Sequence, residues 1–542
     1  MKRLNKKINS TIVVVTTLTV LYSCMPDENL QNPVNTRREG EIVLGKKLEN
    51  PYSVKNMRVA YENIRAKNVT GRTKEELDIR ATHLYVKFLP ENYALYDTLT
   101  SDSTIYFVDH PIDYEIEQEG DFYHDPTIPD TLPTYQYTAV PIDYTPPAGI
   151  PFQILEELYL PKEDTTLTSA GGRISIEVEQ LIDELEYEAL NITGNLPEDL
   201  RGSTNGRTAG LLPSKFTPNG TLSVNDTRLG IIRLAGAKVR TRRWFEVHEA
   251  ITDFNGNYRM GGTYRYDFNY DIIWERADFD VRSGTFGQAM MDGPNCKCSW
   301  SPTINGGVQQ FYASVFRGAH RYFHGNIDGL RRPLMVSKMK ISAYDKNNDG
   351  TNGDNWGNWD NTGLTPDIRI WRSVNGRERD TDEIFSTTVH EIAHTTHIQV
   401  MNAGLIQFSQ VSDVIVESWA VAVQWHVTSL EYRERGIPDF ADPFYTNTRI
   451  ARLIQAFQFW PNRVTETRPY TSLFIDIVDN HNQAGRFGGT SITDNLQGYR
   501  LANIESGFLK HVYGLSSLRE RLKANKPLGV TDAQIDELIN QY

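Results

Sequence analysis

The sequence predicts an α+β protein built from several domains. Its 542 residues suit two to four domains rather than one. The 22 Phe, 27 Tyr and 9 Trp can bury a large core, which excludes a mostly disordered chain. Helical spacing and strand-like alternation of apolar residues both occur along the chain. The net charge of −13 argues against a nucleic-acid partner, because binding to phosphates needs a basic face.

A signal peptide is predicted at residues 1–23. Residues 1–7 are basic, and residues 11–21 are apolar and uncharged. Because this apolar stretch is shorter than the ~20 residues of a membrane-spanning helix, it is typical of an export signal. It ends in Leu21-Tyr22-Ser23-Cys24.

These last four residues resemble a bacterial lipobox. The resemblance implies that Cys24 becomes the first residue of the mature chain and carries the lipid that anchors it to the outer membrane. Residues 24–45 are predicted to be a polar tether. Asp27 and Glu28 resemble the export signal of surface-exposed lipoproteins in Bacteroidota-type bacteria.

Residues 46–165 are predicted to form an N-terminal α/β domain, to which no role is assigned. Helical spacing covers 55–67 and 74–79, and strand-like alternation covers 82–89 and 104–108. Residues 128–151 are rich in Pro and Tyr, so we expect them to be extended and non-helical.

Residues 170–285 are predicted to form a small β-sandwich domain. A helix at 177–189 precedes strand-like segments at 231–243, 244–251 and 264–274. Between the last two lies Thr252-Asp253-Phe254-Asn255-Gly256-Asn257-Tyr258, a turn of residues that tolerate positive φ. This block resembles the carboxypeptidase-regulatory-like domain, which implies a supporting role without chemistry.

Cys296 and Cys298 are separated by a single residue. A disulfide across one residue is strained, and no further ligands for a metal thiolate site are evident. We therefore expect two free thiols in a loop.

Residues 286–542 contain the pattern that carries chemistry. The spacing predicts a helix at 308–323, a strand at 334–342, a polar loop at 345–365 and a strand at 367–371. A long helix follows, with N-cap candidates Asp380, Thr381 and Asp382 and a C-terminal stop at Gly404. It contains His390-Glu391-Ile392-Ala393-His394.

This spacing suits a zinc site. At ~100° per residue the two histidines lie ~40° apart and one turn along the helix, so both rings can reach one metal. Zinc accepts nitrogen ligands in a tetrahedral site and lowers the pKa of water toward ~7. Glu391 lies beside them and can take the proton of that water. This is the zincin metallopeptidase motif.

The third protein ligand has three candidates. The metzincin pattern fails, because it needs Gly and His where His397 and Val400 stand. His397 itself lies ~10.5 Å from His390 along the axis, too far for one straight helix to aim both at one metal. Glu417 sits in a strongly apolar second helix, running from Ser412 or Asp413 to Gly436, where a lone acid is costly to bury unless paired or metal-bound.

Glu417 gives the chain its resemblance to gluzincins, in which a glutamate on a second helix completes the site. Gluzincins have an acid four residues later that orients a histidine, but Val421 stands there. Asp413 is a possible substitute.

Two further roles follow from the zincin resemblance. The strand before the active helix, 368–371, is expected to pair with the backbone of an extended peptide. A Tyr or His is expected to stabilise the oxyanion, with these candidates: His426, Tyr432, Tyr445, Tyr470 and His481.

A calcium loop is a second possible cation site. Asp345, Asn347 and Asp349 alternate ahead of Gly350, as oxygen ligands do in the first half of such a loop. The EF-hand pattern then requires Glu where Trp356 stands, and Asp354 could replace it only with different geometry. An ordinary Asn/Asp/Gly turn is the alternative.

The whole chain resembles a zincin-like metallopeptidase lipoprotein, whose C-terminal domain has a helical lower subdomain. The expected activity is zinc-dependent hydrolysis of peptide bonds in a peptide or protein substrate, at the bacterial cell envelope. One alternative is an inactive surface lipoprotein that binds peptide or glycan, although an intact Glu391 argues against it. Another is a structural zinc site, which four protein ligands would close.

Overall fold

In its described residues, the N-terminal part of the chain forms three α-helices and two small sheets. The strands are β1 (Val43–Lys47), β2 (His83–Phe88), β3 (Tyr114–Gln118), β4 (Gln136–Pro141) and β5 (Phe152–Leu158), and the helices are α1 (Val54–Lys67), α2 (Tyr93–Thr100) and α3 (Ile176–Ile192). Strands β4, β2 and β5 pair antiparallel in that order, and β1 pairs with β3. The predicted helices at 55–67 and 177–189 and the strand at 82–89 are confirmed. The strand at 104–108 is wrong, because only Val108 forms an isolated bridge, to Tyr137.

This fold is that of a computed structural model of the chain. It describes residues 41–67, 77–102, 104–120, 122–167, 174–200, 212–284, 287–335, 338–355, 367–401, 408–437, 469–482 and 492–542. Residues 42–542 belong to one compact unit. Residues 74–76 of the predicted helix at 74–79 lie outside the described part, and residues 77–79 are not helical.

The middle of the chain is rich in short strands. They are β6 (Asn219–Thr221), β7 (Ser223–Asp226), β8 (Gly230–Arg233), β9 (Lys238–Arg243), β10 (Glu246–Ile251), β11 (Asn257–Arg259), β12 (Phe268–Ile273), β13 (Phe279–Ser283), β14 (Gly287–Gln288), β15 (Met290–Cys296) and β16 (Thr303–Ile304). A four-stranded antiparallel sheet has the order β10-β9-β12-β15. The predicted turn is confirmed: Asp253 Oδ1 accepts the backbone N–H groups of Asn255 and Asn257, and Gly256 has φ 72°.

The two cysteines form a disulfide, so the expectation of free thiols is wrong. Cys296 ends β15, and the chain turns after it. This turn brings its Cα within 5.4 Å of the Cα of Cys298, a separation that a disulfide spans.

A mixed sheet lies at the centre of the C-terminal half. Its further strands are β17 (Met339–Asn348), β18 (Gly353–Asn355), β19 (Ile368–Val374) and β20 (Arg377–Glu378). Strands β13, β17 and β19 are parallel, and β18 is antiparallel at one edge, beyond β19. The predicted strand at 334–342 therefore starts later and continues into the predicted loop, because Asn347 and Asn348 still pair with β19.

Helices cover this sheet and carry the candidate site. They are α4 (Gly307–His324), α5 (Thr381–Met401), α6 (Asp413–Glu434), α7 (Leu473–Val478), α8 (Leu501–Gly507), α9 (Leu515–Ala524) and α10 (Asp532–Ile539). Helix α5 packs between α4 and α6 and is buried along most of its length. Within the described ranges, none of the helices combines the length and the apolar character that crossing a bilayer requires.

One buried carboxylate bonds to each of the helices α4, α5 and α6. Asp226, at the end of β7, accepts hydrogen bonds from Arg317 of α4 (2.7 Å), Thr381 of α5 (3.0 Å) and Tyr432 of α6 (2.8 Å). Burial opposes its ionisation, but Arg317 holds the pKa of Asp226 below its ordinary value. The carboxylate therefore fixes the first residue of α5 relative to both neighbouring helices.

Candidate metal centre

His390, His394 and Glu417 meet between α5 and α6. The Nε2 atoms of the two histidines are 3.1 Å apart, and Glu417 Oε2 lies 3.3 Å from the first and 3.4 Å from the second. The one-turn spacing on α5 brings the two rings together, with centroids 4.8 Å apart. Glu417 lies on α6, and because α6 packs against α5 its carboxylate reaches the two rings.

These separations suit a tetrahedral metal. With bonds of about 2.0–2.1 Å, zinc holds its ligand atoms roughly 3.3–3.4 Å apart, because a tetrahedral edge is about 1.63 times the bond length. The three measured separations are 3.1, 3.3 and 3.4 Å. Two imidazole nitrogens and one carboxylate oxygen also form a donor set that zinc prefers.

Glu417 Oε2 is buried and receives no hydrogen bond in the described structure. Burial opposes its charge, but His394 and His390 hold the pKa of Glu417 well below its ordinary value. This buried oxygen lacks a hydrogen-bond donor and faces two ring nitrogens. A cation bound among the three atoms would provide the missing interaction.

His397 does not join this group. It is fully buried, and its ring packs edge-on against Phe408, at 5.3 Å between centroids, and near Trp419. Neither ring nitrogen has a hydrogen-bond partner within the described chain, and burial lowers the pKa of His397 to about 3. Its imidazole therefore stays neutral and belongs to the packing behind the centre.

Glu391 is buried beside the three candidate ligands. Burial, together with the charges of Glu417 and Asp354, raises the pKa of its carboxyl to about 8, although His390 and Arg379 act in the opposite direction. A cation at the centre would lower that pKa, because it favours the charged form. The protonation state of Glu391 therefore depends on whether a cation is bound at the centre.

Strand β18 passes close to Glu391. A Cβ at Gly353 would lie 2.8 Å from Glu391 Oε1 and 2.8 Å from Thr387 Cγ2, so only glycine leaves room there. The expectation that residues 368–371 pair with the backbone of a peptide is wrong, because β19 already pairs with β17 on one side and with β18 on the other. The edge strand beside the centre is β18.

Two arginines hold β18 in place. Arg369 of β19 makes a two-pronged ion pair with Asp354, at 2.7 and 2.5 Å. Buried Arg379 donates to the carbonyls of Asn352 and Trp371 at 3.0 Å and also bonds to Thr387 of α5. Arg379 thereby joins the residue that directly precedes β18 to the helix that carries the centre.

Gln424, and not Asp413, is the side chain of α6 that contacts His390 Nδ1. Its Oε1 lies 3.0 Å from His390 Nδ1, the nitrogen that faces away from the candidate ligands. Val421 is fully buried, and Asp413 is exposed at the start of α6. The signal for Gln424 was its position seven residues after Glu417, which places both on one face of α6.

Tyr470 is the oxyanion candidate that lies at the centre. Its ring centroid is 6.1 Å from that of His390, and burial, followed by Glu417 and Glu391, raises the pKa of its hydroxyl. Ser418, the residue after Glu417, bonds to Thr471 at 2.6 Å and so holds the Tyr470 segment against α6.

The other oxyanion candidates lie elsewhere. His426 faces Asp328 at 3.2 Å, and Tyr432 bonds to Asp226. On α6 they are ~13 and ~22 Å from Glu417 along the axis. His481 follows α7, where its backbone N–H donates to Asp479. Tyr445 lies outside the described residues, as does Cys24.

The residues of the predicted calcium loop are engaged in other contacts. Asp345 pairs with Arg372 at 2.7 Å, and Asn347 Oδ1 accepts the backbone N–H of Gly376 at 2.7 Å. Asn347 also donates to Asp349 at 2.8 Å. Residues 345–348 belong to β17, which holds them extended instead of curling them around a cation.

Within the described ranges, His390, His394 and Glu417 are the one group of three or more His, Cys, Asp or Glu side chains placed to hold a metal ion. Their geometry does not by itself identify the metal. No family model, curated protein or solved structure matches the chain.

Proposed function

We propose that the protein is a zinc-dependent metallopeptidase, anchored by lipid in the bacterial cell envelope. The observation that carries the proposal is the spacing of 3.1, 3.3 and 3.4 Å among His390 Nε2, His394 Nε2 and Glu417 Oε2. Three protein ligands leave the fourth tetrahedral position open, as in catalytic zinc sites. A fourth protein ligand would favour a structural site, but His397 packs away from the group.

The chain's own residues have separate roles in hydrolysis. Zinc, when bound, polarises a carbonyl and makes water a better nucleophile at neutral pH. Glu391 accepts the proton of the attacking water and then delivers it to the leaving amine. Tyr470, at the rim of the centre, donates its O–H to the oxygen that gains negative charge.

Strand β18 supports peptides as the substrate class. It pairs along one side with β19, and no other described strand pairs with it. An extended peptide can add to such an edge through backbone hydrogen bonds. Because Gly353 has no side chain, a peptide on this edge would run close to the carboxylate of Glu391.

The envelope location rests on the N-terminal sequence. A signal peptide at residues 1–23 and a lipobox ending at Cys24 support a lipid-anchored chain. Residues 24–41 would then separate the membrane from the compact unit that begins at residue 42, because residues 43–45 of the predicted tether belong to β1. Outward exposure at the cell surface is part of the same proposal.

The test compares Glu391→Gln with the wild type in residues 25–542, which contain the whole compact unit. We expect the variant to keep its zinc and to lose about 10²–10⁴-fold in cleavage of a peptide library, the usual size of a general-base contribution. Glu378→Gln, on an exposed glutamate of β20, is the matched control and should retain activity. A zinc-loaded wild type that cleaves no peptide would overturn the proposal in favour of an inactive peptide- or glycan-binding lipoprotein.

A further inference from the structure

A chain of buried polar groups runs from His390 to the backbone of α5. His390 Nδ1 lies 3.0 Å from Gln424 Oε1, and Gln424 Nε2 lies 3.1 Å from Ser386 Oγ. Ser386 Oγ in turn lies 3.1 Å from the carbonyl oxygen of Glu383. His390, Gln424 and Ser386 are all buried, so each link is shielded from water.

The carbonyl at one end sets the direction of every link. A carbonyl can only accept, so the Ser386 hydroxyl donates to it and offers its lone pair to the Gln424 amide N–H. Gln424 Oε1 then faces His390, whose Nδ1 must be the donor. The reverse order would leave two oxygens, Ser386 Oγ and the Glu383 carbonyl, 3.1 Å apart without a proton between them.

The requirement at the metal-facing end of this series of hydrogen bonds is the same: His390 must donate from Nδ1. A neutral imidazole with its proton on Nδ1 has its lone pair on Nε2. His390 Nε2 is the atom that faces His394 and Glu417. The hydrogen-bond directions that the Glu383 carbonyl imposes therefore place the proton of His390 on Nδ1, which leaves the lone pair of Nε2 facing the metal site.

We infer that Gln424 is a positioning residue that fixes the tautomer and orientation of His390 for metal binding, and that Ser386 fixes the orientation of the Gln424 amide. This inference rests on the proposed function only in naming zinc as the metal. The tautomer of His390 is a property of the metal-free chain. Because the acceptor is a neutral amide, it orients the ring without adding a negative charge behind it.

The experiment measures zinc affinity by competition with a chelator, using zinc alone as the probe. Gln424→Met has a similar shape but no polar atoms, and we expect it to weaken zinc binding about 10- to 100-fold, the usual loss when such a support is removed. Gln424→Glu keeps an acceptor for Nδ1–H and should bind at least as tightly as the wild type. Gln399→Met, on a half-buried glutamine of α5 whose side chain bonds to the Leu334 backbone, is the control and should have no effect.

Two further measurements keep the inference separate from the proposed function. Nitrogen NMR of the metal-free chain should show His390 protonated on Nδ1, and Ser386→Ala should make both ring tautomers visible. If Gln424→Met and Gln424→Glu bind zinc equally weakly, or if the tautomer is unchanged in Gln424→Met, the inference is overturned. If the wild type binds no zinc but His390 is protonated on Nδ1, the proposed function fails and the positioning role stands.

Discussion

Replacing Gly353 by alanine tests how closely β18 must approach Glu391. The residue has no positive φ, so glycine is not required there by backbone conformation. It is required by space: the added Cβ would lie 2.8 Å from Glu391 Oε1, 2.8 Å from Thr387 Cγ2 and 3.2 Å from the Arg369 carbonyl oxygen.

The size of the effect follows from these distances. Ordinary contact begins at 3.4 Å, so relief of the overlap needs a shift of at least 0.6 Å (3.4 − 2.8). Thr387 is β-branched and stiff, so the strand or the Glu391 carboxylate must move. Overpacking of this kind costs about 1–3 kcal/mol of stability. Because misplacing a catalytic group by 1 Å can cost about 100-fold in rate, a shift of about 0.6 Å should cost roughly 10- to 100-fold in activity.

The assay compares urea unfolding, zinc content and peptide cleavage for Gly353→Ala and for Gly261→Ala. A Cβ at Gly261 meets nothing within 4 Å, so the same chemical change there controls for loss of backbone freedom. We expect Gly353→Ala to keep its zinc, because none of the three atoms nearest to the added Cβ belongs to a candidate ligand, while stability and cleavage fall. Equal stability and equal cleavage in the two variants would refute the argument that β18 sets the position of Glu391.

Three other predictions each concern one side chain. Arg379→Met should cost at least about 3 kcal/mol in urea unfolding, because it removes buried charge-assisted hydrogen bonds; the control Arg372→Met breaks half-exposed ion pairs and should cost under about 1 kcal/mol. Burial raises the pKa of Asp494 to about 9, so the folded chain retains a proton that the unfolded chain loses near 3.8. Stability should therefore fall as pH rises from about 4 to about 9, and urea midpoints of Asp494→Asn should show a flatter decline; parallel profiles would contradict this. Tyr470→Phe should lower kcat about 10²–10³-fold at unchanged zinc content, whereas His426→Ala should leave it unchanged; equal kcat values would remove Tyr470 from the chemistry.

The two helices of the centre could be predicted because their signals are local. The spacing of His390 and His394 places them on one face of any straight helix. Glu417 stood out as one acid in an apolar run, where burial demands a partner. Both arguments need only a helix of ordinary geometry.

The residues that support the centre could not be predicted in the same way. Gln424 matters because of its distance from a histidine on another helix, which depends on how α5 and α6 pack. Gly353 is one of many glycines, and only the approach of β18 to α5 gives it a special role. The strand that could pair with a peptide was misassigned for a similar reason: an alternating pattern shows that residues 368–371 form a strand but not which strands lie beside it.

The central claim is that His390, His394 and Glu417 hold one zinc ion. The most direct measurement is the zinc content of purified residues 25–542 by elemental mass spectrometry, beside Glu417→Ala and the exposed control Glu378→Ala. The account predicts about one zinc per chain in the wild type and the control, and a much lower content in Glu417→Ala. A wild type without zinc after reconstitution, or Glu417→Ala with a full complement, would contradict it.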